Sequence, residues 1–533
     1  MITSGQSSRS TPDEGRSSRT TLVAKPAQFW LQIIALGFIS LMIVFHLALA
    51  ARGMSMYRDQ HLGTALEYAK GRIDLLRPVI VGFDATGSPI AQEVPIWQAT
   101  AALFFKCFGL WFGWANVTSL LYMIAGLWPV FQIAKSALGE RGAWWTLILF
   151  VAQPLIFAEG GRGGTDGSCA TAMFWFLFCA EKLVRSGEFK WFFPSVIAGA
   201  LSATTKLPFF FCAGLACLFL LVLQFRSSVR RWVLLSGVGL IVLALFGAWT
   251  HYTNKLVTNA EFPFVDLRVS GQATEGVSTF WWYFGDLHYR LNPGVWGKAA
   301  WRFFGCEFGS FALVGLAVTG FFRIKSSWIW CWFVASIITV LIFTHVILNH
   351  ENYYLMISPV VAMSCAAAVI WLEDRISETH RITAKLFPGI TAVVLGLSTV
   401  QGLIAMKVVL DTDRYPHRIA KLIDEHTGPS DKLLVQGGGW GGEELFLADR
   451  TGLSIWNTKI AEDPQKLQRL RQLGYTKLVM IGSSPLLAAL EQVNPGSADV
   501  RRRSYREALT PTAEGWPTIF QSDDLLIKTI PPQ

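Results

Sequence analysis

Long apolar runs separated by short basic loops are the feature that most constrains the fold of this chain. The runs are each about 17 to 22 residues long, enough for a helix to cross the ~30 Å hydrocarbon core of a bilayer. Only 16% of the 533 residues are charged and 52% are hydrophobic, whereas a soluble domain has about 25% charged residues. The sequence therefore predicts a polytopic α-helical membrane protein and excludes an ordinary soluble or disordered chain.

The net charge of +9 comes with Lys and Arg residues that lie in short loops between the apolar runs. Such residues orient membrane spans and attract anionic headgroups, so we expect no nucleic-acid partner. The eight cysteines lie in or beside apolar segments and lack the paired spacing of metal ligands. They are interpreted as small core residues, which argues against a disulfide framework or a zinc site.

The basic loops also set the topology, because short loops rich in Lys and Arg stay in the cytoplasm. Residues 1–26 contain too few apolar side chains to fold, and we interpret them as a disordered cytoplasmic tail. The run 27–50 is predicted to be a retained span, and ten further spans bring the total to about eleven. The ten are expected near residues 115–136, 143–158, 168–184, 191–205, 207–225, 231–250, 303–322, 328–348, 353–371 and 386–406.

An odd number of spans that starts inside places the chain from residue 411 onward outside the cytoplasm. The outer face then also receives loop 51–114, in which residues 96–110 fit only as an interfacial or re-entrant helix. Most of the unusual polar residues fall on this same face, as expected of an active site at the outer water–lipid boundary. They are Asp59, Glu93, Arg162, Asp166, Lys206, His350 and Glu351.

Residues 411–533 have the composition of a soluble domain. Helices predicted at 418–426 and 464–473 alternate with strands predicted at 432–436 and 477–481, which indicates a small extracytoplasmic α/β domain. The glycine-rich segment 437–442 directly after the first strand is either a phosphate-binding turn or a plain flexible turn. It has neither a dinucleotide fingerprint nor a P-loop Lys-Ser/Thr, which favours the flexible turn.

Asp59 stands at the start of the first outer loop. Apolar residues follow it at helical spacing, among them Leu62, Ala65, Leu66 and Ala69, so the loop is predicted to open with an amphipathic helix that lies on the membrane surface. Asp59 is open to two compatible interpretations. It is the N-cap of that helix, or it is a general base at the membrane surface.

The order of these motifs resembles that of the GT-C glycosyltransferases. The acidic residue after the first span is followed by QEVPIWQ at 92–98, the polar stretch 162–166, TTKLP at 204–208 and NHENYY at 349–354. More narrowly, the set is similar to the bacterial relatives of dolichyl-phosphate-mannose protein mannosyltransferases and of lipid A aminoarabinose transferases. The resemblance implies a GT-C-type transmembrane catalytic domain over residues 27–410, followed by the α/β domain 411–533.

The resemblance also implies an activity. GT-C enzymes use polyprenyl-phosphate sugars, so we expect an inverting glycosyltransferase of the cytoplasmic (inner) membrane with undecaprenyl-phosphate as the carrier. Its acceptor is the hydroxyl of a lipid, glycan or protein outside the cytoplasm. We expect no cofactor and no metal, because the family's Asp-Glu pair is here Asp59-Gln60. A lone carboxylate offers no metal cage, and these branches do not generally depend on a metal.

The implied roles follow the chemistry of the transfer. Asp59 is expected to be the general base, and Arg162 and Lys206 are expected to bind phosphate, Arg with a two-pronged contact and Lys as a point charge. Glu93 stands where the aminoarabinose transferases have the Lys of Lys-Pro-Pro, which argues against that branch and suggests that Glu93 orients the acceptor. The remaining expected substrate contacts are Asp166, His350 and Glu351.

Structural alternatives stay open for several of these residues. The alternative for Lys206 is a snorkelling side chain at a span end. The alternative for Arg162 is a loop charge paired with Asp166, and the alternative for Asp166 is a helix cap. His350 is otherwise a residue that ends a span. Residues 281–283, Trp-Trp-Tyr, either stack on a sugar or belong to an interfacial aromatic belt.

Two other classes of protein share parts of this pattern. A transporter or lipid flippase is also polytopic and basic, but it generally places ionisable residues near the midplane and often carries internal repeats. Here the polar residues collect at outer span ends and no convincing repeat is visible, which favours the enzyme. A polysaccharide polymerase or ligase shares the outer-face site, but its long loop is expected between late spans rather than after the first.

Overall fold

The computed structural model describes residues 24–51, 59–91, 93–261, 279–379, 381–405, 415–436, 442–455, 458–482, 509–522 and 525–532. The helices up to residue 259 are α1 (Ala24–Ala51), α2 (Asp59–Lys70), α3 (Ile96–Phe108), α4 (Gly113–Ala152), α5 (Pro154–Glu159), α6 (Thr165–Ser186), α7 (Phe192–Thr205), α8 (Leu207–Phe225) and α9 (Val229–Asn259). The helices from 279 to 405 are α10 (Thr279–Phe284), α11 (Leu287–Leu291), α12 (Pro293–Phe303), α13 (Phe311–Phe321), α14 (Ser327–Ile342), α15 (Thr344–Asn349), α16 (Ser358–Thr379) and α17 (Arg381–Ala405).

Helices α4 and α6 organise the apolar bundle. Helix α4 packs on α1, α6 and α16, and α6 packs in addition on α7 and α8. Between these helices Phe150, Phe174 and Trp332 are completely buried. The outer sides of α9 and α17 instead expose large apolar residues such as Leu240 and Leu397. A soluble protein does not leave such continuous apolar faces open, whereas a helix that faces lipid does.

Six of the described helices are long and apolar enough to cross a membrane, and a bent pair, Pro293–Phe308 with Phe311–Phe321, brings the number to as many as seven. The predicted total of about eleven spans therefore stays a prediction. Part of the difference between the predicted number and the six or seven long apolar helices lies in α4, whose 40 residues include a break at Gly139 with φ 76°. The break separates the two spans expected at 115–136 and 143–158.

Helix α3 occupies the segment for which the sequence allowed only an interfacial or re-entrant helix. It has 13 residues, and at ~1.5 Å per residue its length of about 20 Å is too short to cross the hydrocarbon core.

Helix α2 forms where the sequence predicts an amphipathic helix. Its location at the membrane surface stays a prediction, but protein rather than lipid covers its apolar face. Its apolar side chains Leu62, Ala65 and Leu66 are buried against α3 and against Phe446 of the C-terminal region. The apolar face is therefore covered by protein. The periodicity identified the face correctly but carried no information on what covers it.

The C-terminal region forms a mixed sheet of five strands in the order β2-β1-β3-β5-β4. Strand β1 pairs in parallel with β2 and β3, whereas β5 pairs antiparallel with β3 and β4. The sequence predicted β1 and β3 and missed the other three strands. The strands are β1 (Lys432–Gln436), β2 (Thr451–Ile455), β3 (Tyr475–Ile481), β4 (Thr518–Gln521) and β5 (Leu525–Thr529).

The helices of this region include the two predicted ones. They are α18 (Tyr415–His426), α19 (Glu443–Leu447), α20 (Pro464–Gln472) and α21 (Pro511–Glu514). The glycine-rich turn lies almost entirely outside the described residues, as does most of the N-terminal tail.

The loop after α2 and the C-terminal sheet lie on the same side of the helical bundle, because they are in direct contact. Gly82 forms a parallel bridge with Leu453 of β2, and the backbone N–H of Ser454 donates to the carbonyl of Gly82 at 2.8 Å. The chain must therefore cross the membrane an even number of times between residues 91 and 415. The ten crossings predicted for this interval satisfy that condition.

The predicted orientation is tested by fusing a reporter that is active only outside the cytoplasm. We expect reporter activity when the reporter follows Ser430 and none when it is placed near Ser227 or Ser326. The last two positions lie in short basic loops, with Arg226 and Arg230 beside Ser227 and Lys325 beside Ser326, and such loops stay inside. A silent fusion after Ser430 together with active fusions at the other two positions would reverse the orientation.

Candidate active site

Lys206 lies at the turn between α7 and α8, where its extended backbone (φ −147°, ψ 104°) interrupts the helix just before Pro208. Its ammonium group forms a buried ion pair with Asp166 in the first turn of α6. The same carboxylate oxygen accepts a hydrogen bond of 2.5 Å from the Asn352 side chain. The ring of Tyr353 lies 5.1 Å from the Lys206 nitrogen. Side chains from two other segments of the chain, α6 and residues 352–353, thus surround this buried cation.

Arg162 lies in the short linker between α5 and α6 and carries the second cation. Its Nη1 is 2.8 Å from Oε1 of Glu159 and 3.9 Å from Oε1 of Glu351. Burial by itself disfavours the charged guanidinium, but the two carboxylates raise the pKa of Arg162 above its ordinary value. Burial raises the pKa of the Glu351 carboxyl, but Arg162, together with a backbone hydrogen bond and the nearby Arg302 and His350, outweighs burial, so that the pKa is lowered. Both members of the pair stay charged at neutral pH.

His61, which the sequence did not predict as a site residue, lies beside Glu93 and forms a third polar group with it. Nε2 of His61 on α2 is 4.0 Å from Oε2 of Glu93 and 3.2 Å from the Thr165 hydroxyl. Nδ1 of His61 is 3.0 Å from the Gln98 amide nitrogen on α3. His61 is almost completely buried. A small cavity lined by both His61 and Glu93 opens between α2 and the following loop.

These three groups are contiguous. Thr165 contacts His61 and is followed by Asp166, the partner of Lys206. Glu351, the partner of Arg162, precedes Asn352, which contacts Asp166. The backbone N–H of Val94 also donates to the carbonyl of Thr204 at 3.3 Å, which ties the Glu93 loop to the turn that carries Lys206. One continuous polar network therefore joins the first outer loop to the ends of α6, α7 and α15.

Aromatic residues form one wall of this network. The ring of Trp282 on α10 lies 5.3 Å from the ring of His350, and the ring of Trp281 lies 4.1 Å from that of His345. Burial, with the nearby Glu93 carboxylate, raises the pKa of Tyr283 to about 12. Residues 281–283 thus face the polar network in part. Whether they contact a sugar stays a prediction.

The structure brings six of the seven sequence-predicted residues into this network: Glu93, Arg162, Asp166, Lys206, Glu351 and, through the Trp282 contact, His350. Asp59 begins α2, two positions before His61, and its side chain lies outside the described residues.

The observed contacts differ from two of the structural alternatives, the pairing of Arg162 with Asp166 and the snorkelling of Lys206. The ion-pair partners of Arg162 are Glu159 and Glu351, whereas Asp166 pairs with Lys206. Lys206 is buried and does not snorkel. The Lys206–Asp166 pair joins residues 40 positions apart in sequence, so spacing carries no signal for it.

Glu159, His61 and Asn352 are the residues of this network that sequence reasoning missed. Glu159 lies three positions before Arg162, the spacing at which opposite charges on a helical turn meet. Asn352 lies within the NHENYY motif, but nothing distinguished it there. His61 lies two positions after Asp59, and no pattern in the sequence distinguishes it there.

Among the described residues, no group of three or more His, Cys, Asp and Glu side chains is arranged to hold a metal ion. Three carboxylates of the network, those of Glu159, Asp166 and Glu351, pair with Lys206 or Arg162 instead. The expectation that the protein needs no metal stays a prediction.

Residues 92–252 match the family model described as dolichyl-phosphate-mannose-protein mannosyltransferase. This range includes Glu93, Arg162, Asp166 and Lys206. No curated protein sequence matches the chain at a significant level.

Solved structures extend the similarity in fold to nearly the whole chain. ArnT from Cupriavidus metallidurans bound to undecaprenyl phosphate matches with a TM-score of 0.57 at 12% identity, over 93% of this chain and 99% of that one. The Archaeoglobus fulgidus oligosaccharyltransferase in its apo form matches with a TM-score of 0.55 at 10% identity, over 85% of this chain and 70% of that one.

The arabinofuranosyltransferase AftD from Mycobacteria matches with a TM-score of 0.52 at 14% identity, over 95% of this chain and 40% of that one. The matches confirm the resemblance that the ordered motifs indicated. In fold the chain is similar to the GT-C glycosyltransferases along nearly its whole length, and in sequence it is similar over residues 92–252 to the dolichyl-phosphate-mannose-protein mannosyltransferases.

Proposed function

We propose that the protein is an inverting glycosyltransferase of the cytoplasmic membrane that moves one sugar from a polyprenyl-phosphate donor to an acceptor hydroxyl on the outer face. The observation that carries the proposal is the network in which Lys206 and Arg162 lie beside the first outer loop. A transfer from a phosphate carrier needs cations at the departing phosphate and a base at the acceptor. The network supplies the cations, and α2 supplies the base at Asp59.

The reaction is a single displacement at C1 of the sugar. The acceptor oxygen forms a bond to C1 while the bond between C1 and the phosphate oxygen breaks. The electron pair of the broken bond stays on the phosphate, and the acceptor proton passes to Asp59. Attack from the face opposite the leaving group inverts the configuration at C1.

Lys206 and Arg162 neutralise the phosphate as its charge increases. Without donor, each cation is engaged by carboxylates, Lys206 by Asp166 and Arg162 by Glu159 and Glu351. These carboxylates orient the two cations and balance their charge where water is largely excluded and an unpaired charge is costly. The donor phosphate is then bound by side chains that are already positioned.

The same geometry supports an assignment of the carrier and of the acceptor. The structural neighbour ArnT was solved with undecaprenyl phosphate, which supports an undecaprenyl-type carrier whose phosphate sits at the outer boundary. Glu93 and His61 are close together beside the Lys206 turn. We assign Glu93 to the acceptor hydroxyl, and His350 with Trp282 to the sugar side of the site.

Mass spectrometry of polyprenyl-phosphate sugars and of surface lipids, glycans and proteins, in cells with and without the gene, tests the function. We expect cells without the gene to accumulate one polyprenyl-phosphate sugar and to lack the matching sugar on one surface acceptor. Cells with Asp59→Asn should show the same two changes. Unaltered donor and acceptor pools in both strains would contradict the proposal.

A further inference from the structure

Helix α2 is enclosed between the membrane bundle and the C-terminal region. Leu62 and Ala65 pack against Trp97 and the rest of α3 on one side and against Phe446 of α19 on the other. The contact with α19 is close, because a Cβ atom at Gly63 would lie 3.2 Å from Cδ1 of Phe446. The C-terminal region thus forms part of the surface that holds this helix.

The loop that follows α2 is attached to the same region. Gly82 extends the sheet beside β2, and its φ of +82° combined with a Cβ position only 2.8 Å from the Ser454 hydroxyl requires glycine. Further along, the Tyr475 hydroxyl donates to the carbonyl of Ala85 at 3.0 Å. Ala85 also belongs to an apolar cluster whose other buried members all lie in the C-terminal region. The loop therefore docks through backbone bonds and apolar packing.

Charged pairs reinforce the contact at two further places. Lys70, the last residue of α2, pairs with Asp449 at 2.7 Å. Arg469 of α20 makes two hydrogen bonds to Glu261, at 2.6 and 3.0 Å. Exposed pairs of this kind contribute little stability each. They add directional contacts to apolar packing that is itself non-directional.

Helix α2 depends on such packing. It has 12 residues and includes Gly63 and Thr64, which are weak helix formers, and isolated helices of this length are marginal in water. An active site tolerates little displacement, since a shift of about 1 Å costs on the order of 10²-fold in rate. The position of the first turn of α2 therefore depends on the surfaces that cover its apolar face.

We propose that the C-terminal domain is a working part of the active site. It holds α2 so that the residues at the start of this helix face the bound donor, and Phe446 is the principal positioning residue. The inference rests on the proposed function, in which Asp59 is the base. It gives the soluble domain a catalytic purpose without a substrate contact of its own.

Phe446→Ala in the full-length protein, reconstituted in lipid nanodiscs, tests the proposal. We expect amide hydrogen exchange over residues 59–70 to accelerate at least 10-fold, while exchange in β3 stays within 2-fold of the wild type. In a transfer assay with a polyprenyl-phosphate sugar, kcat should fall at least 10-fold with the KM for the donor changed less than 2-fold. Phe520→Ala is the matched control, because Phe520 packs against His426 in the same domain and away from α2.

A volume exchange gives a second, independent measurement. Gly63→Leu should collide with Phe446 and lower kcat by itself, whereas Gly63→Leu combined with Phe446→Ala should refill the space and recover at least half of the lost kcat. Unchanged exchange over 59–70 in Phe446→Ala, or an equal loss of kcat in Phe520→Ala, would overturn the proposal.

The two proposals fail in distinguishable ways. Absence of transfer by the wild-type protein would overturn the proposed function and with it the catalytic part of this inference. The exchange measurement needs no substrate. It decides separately whether the C-terminal domain holds α2.

Discussion

Asp59→Asn is expected to lower turnover by about 10²-fold or more, the usual contribution of a positioned general base. The amide keeps the size of the side chain and most of its ability to cap α2, but it cannot accept the proton of the acceptor hydroxyl. The free energy of unfolding should therefore change very little. The measurement is a transfer assay with purified protein and a lipid-linked donor, beside thermal unfolding of the same samples.

Asp59→Ala serves as the second variant. If Asp59 is only a helix cap, Asp59→Asn should be nearly silent, and Asp59→Ala should cost about 1 kcal/mol of stability with activity lost only in proportion. A fully active Asp59→Asn enzyme would remove Asp59 from the base role. Glu93, which lies beside His61, would then be the next carboxylate to test.

Lys206→Met is expected to weaken the binding of undecaprenyl phosphate by roughly 10- to 100-fold, the contribution of a charge-assisted hydrogen bond. It should also destabilise the protein by about 3 to 5 kcal/mol, because removal of one partner of a buried pair leaves the other charge uncompensated. Asp166 would be the stranded charge, since its carboxylate lies in a buried pair with Lys206. Both quantities are measured on nanodisc-embedded protein, by lipid titration and by thermal unfolding.

The double variant Lys206→Met/Asp166→Asn separates the two effects. We expect it to recover most of the lost stability, because no buried charge remains, but not the affinity for the lipid phosphate. Lys190→Ala is the matched control, since Lys190 is exposed and pairs with Glu188 at the opposite end of α7. Recovery of lipid affinity in the double variant would show that Lys206 only balances Asp166 and does not bind phosphate.

Arg162 permits a parallel comparison. Arg162→Ala should weaken lipid binding as Lys206→Met does, as long as the protein inserts normally. Its carboxylate partner Glu159 is nearly completely buried, so a loss of stability should accompany the change. If the transfer rate depended on the donor concentration in Arg162→Ala and Lys206→Met as it does in the wild type, both residues would have purely structural roles.

The architecture was predictable where one physical rule dominates. Apolar runs of membrane-crossing length identify a helical membrane protein, because backbone polar groups must be satisfied within the segment in lipid. The break at Gly139 lies between the runs predicted at 115–136 and 143–158, which the basic residues Lys135 and Arg141 separate in the sequence. Strands β1 and β3 were also predictable, since both are apolar segments bounded by turn residues. Strands β2 and β4 are short and carry polar residues at several positions, which hides them in the sequence. Strand β5 is as apolar as β1 and was missed all the same.

The site was predictable only in part. Residue type and position at outer span ends selected Glu93, Arg162, Asp166 and Lys206, because charged side chains avoid the hydrocarbon interior. The partners of these residues were not predictable. Asn352 reaches Asp166 across 186 positions of sequence, and no local pattern encodes such a contact.

The sequence by itself determined which segments are apolar, which loops are basic and which face of each amphipathic helix is buried, because these properties depend on composition and periodicity along the chain. Only the tertiary structure decided what covers each face and which charge meets which. It placed Lys206 against Asp166 rather than in water, and it covered α2 with α3 and Phe446 rather than with lipid. Both outcomes depend on distances between segments remote in sequence, which periodicity does not contain.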